Sequence, residues 1–402
     1  LGLGFHEYLQ LCEDLGMEPM YVCNCGMTCQ GRKSVLLEGE ALDEMVQDTL
    51  DAIEYAIGSK ESKWGRLRAS MGHPEPFKMT YLEIGNENWG PDYEKRYNMI
   101  YKKVKELYPQ IKTIANEHVE KNGCPAECVD EHFYNTTEFF AERVNYYDDY
   151  DRKGPKIFVG EVAVNEGNYM GQLYAALGEA AFLMGIEKNQ DIVTLASYAP
   201  LFENINYRAW YPNLIRFNNH QSLGIPTYYV WKMFGQNRGE YVVRSEDEGG
   251  QCSLEEFGFM HDNKLTEDFA ISVKPGEYHR FGYETDGKQI RLYVDGELQK
   301  EISIPYGPAF VSVVTDTKDE IIIKAVNFAG DVDPVSITLD CQVQSDYTVT
   351  LLSGEKGDEN SFEEPEKVKN ITVNMHGASS EFVYEAPPYS VSVLRLKKCE
   401  AF

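Results

Sequence analysis

Two glutamates stand on strand-like segments: Glu87 in YLEIGNENWG (81–90), just after an apolar strand core, and Glu161 within the apolar run KIFVGEVAV (156–164). A carboxylate in such a run is costly unless it is paired or hydrogen-bonded. Two carboxylates sharing one site cannot both ionise cheaply, so one is pushed toward the protonated form. That is the charge state required of a general acid beside a nucleophile. From the residues alone each also admits a plainer reading: Glu87 as a solvated turn residue, Glu161 as half of a buried salt bridge. Asn86 precedes Glu87 at the strand end, and Glu83, deeper in the strand, reads as structural support.

The other chemical signals are weaker. CNCGMTC (23–29) offers three thiols within seven residues, but C-x-C-x3-C lacks the paired C-x2-C form of structural zinc sites, and buried or incidental thiols are expected. His132 can equally be a satisfied core histidine, and Trp89 can pack its own loop. No H-E-x-x-H motif, phosphate-binding loop, dinucleotide fingerprint or G-x-S-x-G elbow occurs, so no cofactor and no metal are expected.

Positioning two strand-end glutamates requires a repeated strand–helix unit, and residues 1–237 read that way. Apolar strands are expected at 19–24, 80–85, 111–116, 129–134, 157–162 and 194–200. Helices are expected at 6–15, ended by Gly16, and at 41–57, 92–108, 137–150 and 170–188. In 41–57 the stripe is Leu42, Met45, Val46, Leu50, Ile53 and Ile57. Alternation of this kind indicates an α/β layer fold. Six strands are two short of a (β/α)8 TIM barrel, whose catalytic residues lie at the C-terminal ends of its strands. The chain opens on a helix at Leu1, so the missing pair is expected upstream, either in an absent N-terminal part or on a partner chain. From about 238 the helical stripes vanish. Short alternating runs at 291–296, 309–314, 320–328, 335–340, 347–352, 370–375 and 389–396 predict a β-sandwich domain over 238–402. A variant or inserted β segment is expected at about 245–305, with hairpin turns at Asp286-Gly287 and Asp295-Gly296.

A formal net charge of -27 repels nucleic acid and anionic membrane surfaces and suits a neutral partner such as a glycan, although it also serves plain solubility. No apolar run is long enough to cross a bilayer. Nine cysteines scattered over 402 residues read as mostly reduced thiols, and the compartment, cytoplasmic or secreted, stays open.

Several long segments, in order, resemble the glycoside hydrolase family 51 α-L-arabinofuranosidases. They are YLEIGNENWG, DEHFY (130–134), KIFVGEVAV, SYAPLFENIN (197–206), WYPNLIRFNN (210–219), PTYYVWKMFGQNRG (226–239), IIIKAVNF (321–328), ENSFEEPEKV (359–368) and PPYSVSVLRL (387–396). WGRLRASMGHPEPF (64–77) resembles the loop before the acid/base strand. The resemblance implies a TIM barrel followed by a β-sandwich, with Glu87 as acid/base and Glu161 as nucleophile. It implies Asn86 as a ligand of the sugar 2-hydroxyl and places His132 and Tyr134 near the nucleophile, Tyr134 orienting Glu161. Asn24, with Gly26, would lie near the sugar pocket, Trp89 on an aglycone subsite, and Tyr198 and Asn206 near the last strand. Asn24 can instead be a strand-end cap. The implied activity is hydrolysis of terminal α-L-arabinofuranosyl residues in neutral arabinose-containing glycans, by a chain that forms a homo-oligomer if it follows related enzymes. A β-xylosidase, an endoglucanase and a noncatalytic glycan-binding protein are the alternatives.

Overall fold

The computed structural model describes residues 2–33, 35–245, 251–253, 280–285, 289–303 and 306–399. The chain divides into two compact units. One comprises Leu1–His132, Asp151–Gly160 and Asp191–Ala196; the other comprises Phe133–Tyr150, Glu161–Gln190 and Ser197–Phe402.

Six strands form one sheet in chain order: β1 (Met20–Cys23), β2 (Tyr81–Ile84), β3 (Lys112–Ala115), β4 (Cys128–Asn135), β5 (Lys156–Val164) and β6 (Val193–Tyr198). The β1–β2, β2–β3 and β3–β4 pairings are parallel. The sheet ends at β1 and β6, giving an open, incomplete (β/α) barrel. Each strand lies within two residues of the range its apolar run predicts.

In the first unit α1 (Phe5–Asp14), α2 (Glu40–Ile57), α3 (Lys63–Ser70) and α4 (Pro91–Leu107) accompany the strands. Gly16, with φ of 68°, takes the left-handed conformation that stops α1. The α2 stripe is buried at Leu42, Val46, Leu50 and Ile53; Met45 and Ile57 sit at its margin. Val46, Leu50 and Ile53 pack in one core with Leu82 and Ile84 of β2 and Tyr93, Tyr97, Ile100 and Val104 of α4. The segment 64–77, expected as a loop, holds all but the first residue of α3. Its Arg68 side chain is fully buried and donates to the carbonyls of Tyr55, Ala56, Gly58, His73 and Pro74.

The second unit holds α5 (Thr137–Ala141), α6 (Leu173–Lys188) and α7 (Pro226–Gln236). Instead of running to 150, α5 stops at Ala141 and turns follow. There the rings of Tyr146, Tyr147 and Tyr150 meet one another edge-on or tilted, with Tyr146 against Phe133 and Tyr147 against Phe182, so ring packing overrides helical periodicity. α6 is buried continuously from Leu173 to Ile186, as befits a helix apolar on all sides. After β6 a small sheet of Phe202–Asn204, Ile215–Phe217 and Ser222–Gly224 appears that the sequence reading did not foresee.

The sandwich-like part has an antiparallel sheet in the order Tyr241–Val243, Phe310–Asp316, Glu320–Asn327, Ser390–Lys398, Val343–Ser353, Ile371–Met375. A second sheet pairs Asp333–Thr338 with Glu381–Ala386. Strict alternation of burial in Phe310–Asp316 marks a strand with one face inward. Ile321, Ile323, Val349, Leu394 and Leu396 of the larger sheet pack with Val335 and Ile337 of the smaller. Tyr241–Val243 and Glu381–Ala386 were not expected as strands. The hairpin of Gln289–Val294 and Glu297–Ser303 turns on Asp295 and Gly296, both at positive φ as a two-residue type I′ turn requires. The Asp286-Gly287 turn and most of the expected insert at 245–305 lie outside the described residues. Among the described residues no helix is long and apolar enough to cross a membrane.

Candidate active site

In the first unit β2 ends at Ile84 and the chain turns sharply. Gly85 has φ of 89°, and a Cβ there would lie 2.8 Å from the side-chain oxygens of both Asn88 and Asn116, so only glycine fits. Two residues on, Glu87 itself adopts φ of 51°, a strained conformation for a non-glycine residue and one that recurs at functional sites.

Both carboxyl oxygens of Glu87 are engaged. Oε2 accepts from the Cys29 thiol at 2.8 Å, and Oε1 lies 3.2 Å from His132 Nδ1. The other ring nitrogen of His132 is 2.6 Å from Asp130 Oδ2, and Asp130 Oδ1 accepts from the Gly160 amide at 2.8 Å. Gly160 makes that approach possible, since a Cβ there would sit 2.2 Å from Asp130 Oδ1. A cavity of about 300 Å³ opens among Gly31, Glu87, Trp89, Asn116, Asp130 and His132.

Burial pushes the Glu87 carboxyl up, but the Cys29 and His132 hydrogen bonds, followed by the His132 charge, outweigh it and hold the group below the usual carboxylate range. The sequence reading expected the acid/base to be the carboxyl pushed toward protonation. The direction is opposite because the immediate neighbours of Glu87 are donors.

The remaining predicted residues of this unit surround the turn. Asn86 is exposed, and its amide donates to Asn88 Oδ1. Trp89 is half exposed, with its amide on the Gln30 side chain. Glu83 is buried and accepts from Asn116 at 2.8 Å. Asn24 is exposed and caps a tight turn, its side-chain oxygen accepting from the Gly26 amide at 2.7 Å.

In the second unit the neighbours of Glu161 in β5, Val162, Ala163 and Val164, are buried while Glu161 is only partly so. Its Oε2 accepts from the Tyr134 hydroxyl at 2.5 Å. The Tyr134 ring meets Trp210 edge-on at 5.5 Å and packs on a cluster of Ala163, Tyr198, Leu214 and Ile225. Tyr198 is therefore a buried neighbour of that cluster, whereas Asn206 is exposed on the short turn Ile205–Tyr207. Beneath β5, Glu179 of α6 is wholly buried and accepts from the Val164 amide at 2.6 Å. Burial pushes its carboxyl up to about 8 despite hydrogen bonds from Thr227 and Val164.

Glu87, Trp89 and His132 thus line one cavity with Asn86 beside them, and Tyr134 and Glu161 form a bonded pair. Asp130, Cys29, Trp210 and Glu179 were missed. Two signals were readable: Asp130 and His132 alternate on one strand face, and Glu179 interrupts an otherwise apolar helix. No periodic pattern points Cys29 at Glu87.

Residues 2–152 match the α-L-arabinofuranosidase 1 domain and residues 150–390 the α-L-arabinofuranosidase C-terminal domain. α-L-Arabinofuranosidase 1 of Arabidopsis thaliana is 33% identical over 407 residues, covering 99% of this chain and 52% of that protein. An extracellular exo-α-L-arabinofuranosidase of Streptomyces chartreusis is 41% identical over 258 residues, 61% of this chain and 31% of that one. An arabinose-bound GH51 α-L-arabinofuranosidase aligns with a TM-score of 0.77 at 26% identity, over 99% of this chain and 57% of the other. The arabinose complex of the Thermotoga maritima enzyme, at 19% identity and a TM-score of 0.71 over 98% of this chain and 79% of that one, shares the fold. The chain spans 52% and 31% of the lengths of these two curated relatives.

Proposed function

Because the chain belongs to the α-L-arabinofuranosidase family of glycoside hydrolases, we propose that it carries the machinery for retaining hydrolysis of terminal non-reducing α-L-arabinofuranosyl residues in arabinan, arabinoxylan and arabino-oligosaccharides. In this reading Glu161 attacks the anomeric carbon while Glu87 protonates the departing glycosidic oxygen, and a glycosyl-enzyme forms. Glu87, now ionised, takes a proton from water, and that water displaces Glu161. Two inversions give retention. The mechanism requires the two carboxyls to stand about 5–5.5 Å apart at the reacting carbon. Asn86 contributes if its bond to the 2-hydroxyl tightens in the oxocarbenium-like transition state. The substrates are neutral, in keeping with a chain of charge -27.

The observation that carries the reading is the contrasting surroundings of the two glutamates. Glu161 receives a phenol hydroxyl, which orients it toward the reacting carbon. Glu87 faces an imidazole anchored on Asp130, a pairing that can hold and exchange one proton. A sugar seated over Glu87 excludes water and raises its affinity for that proton, as the first step needs.

The test is turnover of a chromogenic α-L-arabinofuranoside beside xyloside and glucan controls. Glu161→Ala is expected to lose activity by at least about a thousandfold. Undiminished turnover in that variant removes the nucleophile assignment. Preferential turnover of the xyloside or glucan changes the substrate, and glycan binding without hydrolysis by the unaltered chain removes the catalytic reading.

A further inference from the structure

The loop after β1 and the turn after β2 are laced together, and the lacing converges on Glu87. The Gln30 amide donates to the Glu87 carbonyl at 3.1 Å, and the Trp89 amide donates back to the Gln30 side chain at 2.5 Å. Asn88 Nδ2 donates to the Thr28 carbonyl at 2.9 Å while its oxygen accepts from the Cys25 thiol at 3.4 Å. These bonds fix the backbone on both sides of the acid. Among the described residues of this loop, Cys29 alone hydrogen-bonds the carboxyl group, at 2.8 Å from Oε2. From this arrangement we propose that Cys29 is a positioning residue for Glu87: its S–H holds Oε2, so that Oε1 stays on His132 and the carboxyl keeps one orientation through both halves of the reaction.

The inference rests on the reading of Glu87 as acid/base. The chemistry of the thiol supports it. Its hydrogen bond to ionised Glu87 comes first among the causes that hold the Cys29 proton in place, with burial second, so in neutral solution the group donates and is a poor nucleophile. The contact also divides labour between neighbouring thiols. Cys25 is fully buried and braces Asn88, a structural duty; Cys29 is only partly buried, so its sulfur can be removed at little cost to the fold. Without it Oε2 loses a donor. The carboxyl then gains rotational freedom, and its pKa rises because a group that stabilises the anion has gone.

The experiment compares Cys29→Ala, Cys29→Ser and Glu87→Ala with the unaltered chain on two arabinofuranosides, one with a dinitrophenyl and one with an alkyl leaving group. The dinitrophenolate departs without a proton; the alkoxide needs the acid. In Cys29→Ala, kcat/KM is expected to fall about tenfold on the alkyl substrate and less than twofold on the dinitrophenyl one. The basic limb of its pH profile should move up by roughly half a unit or more. Cys29→Ser, which keeps a donor, should recover most of both effects. An equal fall on both substrates, or an unmoved pH profile, overturns the positioning role. If Glu87→Ala shows the leaving-group split and Cys29→Ala does not, the inference alone fails. If Glu87→Ala shows no split, the acid/base assignment fails and takes the inference with it.

Discussion

Glu179 and Glu87 show one side chain held in opposite states by its neighbours. Around Glu87 the donors overcome burial. Around Glu179 burial prevails and moves the carboxyl from the ordinary 4.5 to about 8, while Oε2 has no hydrogen-bond partner among the described residues. The folded chain therefore keeps a proton that the unfolded chain gives up above about pH 4.5. A raised folded-state pKa contributes stability that is fully present below the unfolded value and is lost as pH rises through the folded one. Between pH 5 and 8 this single group should cost on the order of 4 kcal/mol. Glu179→Gln retains the acceptor for Val164 and cannot ionise. Urea denaturation midpoints measured at pH 5 and pH 8 should lie closer together in this variant than in the unaltered chain, and the variant should be the more stable of the two at pH 8.

α3 owes its place to a cation in the wrong company for a core. Arg68 is enclosed by five backbone carbonyls, which satisfy it and also stitch the end of α2 to the segment entering β2. Arg68→Met fills similar space and leaves those acceptors unmet. A loss of about 3 kcal/mol or more is expected, read as a lower denaturant midpoint. The same element shows where the sequence stops being legible. KWGRLRAS carries no apolar stripe, so its helix depends on distant carbonyls that no periodicity records. The six strands were readable because each is a short apolar run between polar turns, and α2 and α4 because their buried residues recur every three to four positions. Glu161 was readable as an interruption of such a run, and Glu87 as a carboxylate just beyond the end of one. The partners of Glu87 were harder: Asp130 and His132 share a strand face, a signal present in the spacing, but Cys29 reaches the carboxyl through a loop path that tertiary contacts set.

At the scale of the whole molecule, the second unit joins a barrel-type helix to an antiparallel sheet, and an ion pair lies in that joint. Lys324, fully buried on the strand Glu320–Asn327, places Nζ 2.6 and 2.7 Å from the two oxygens of Glu187 on α6. Burial lowers the Lys324 pKa, and Glu187 restores part of it. Lys324→Met strands the carboxylate and should cost about 3–5 kcal/mol, whereas Lys324→Met with Glu187→Met should regain most of that loss. Guanidinium midpoints of the single and double variants separate a required pair from a replaceable one. The main-chain bond from the Leu173 amide to the Asp358 carbonyl, 2.9 Å long, ties the start of the same helix to the loop after Val343–Ser353.

Gly160 stands one position before Glu161, with the Asp130 carboxylate where a methyl group would have to go. Every other amino acid at that codon must evict Asp130 and so release the imidazole it anchors. In a saturation library the position should read as inactive for all replacements, including alanine, although its side chain is a lone hydrogen and takes no part in bond making. A screen that ranks residues by intolerance alone would therefore count as catalytic a position whose side chain contributes only empty space.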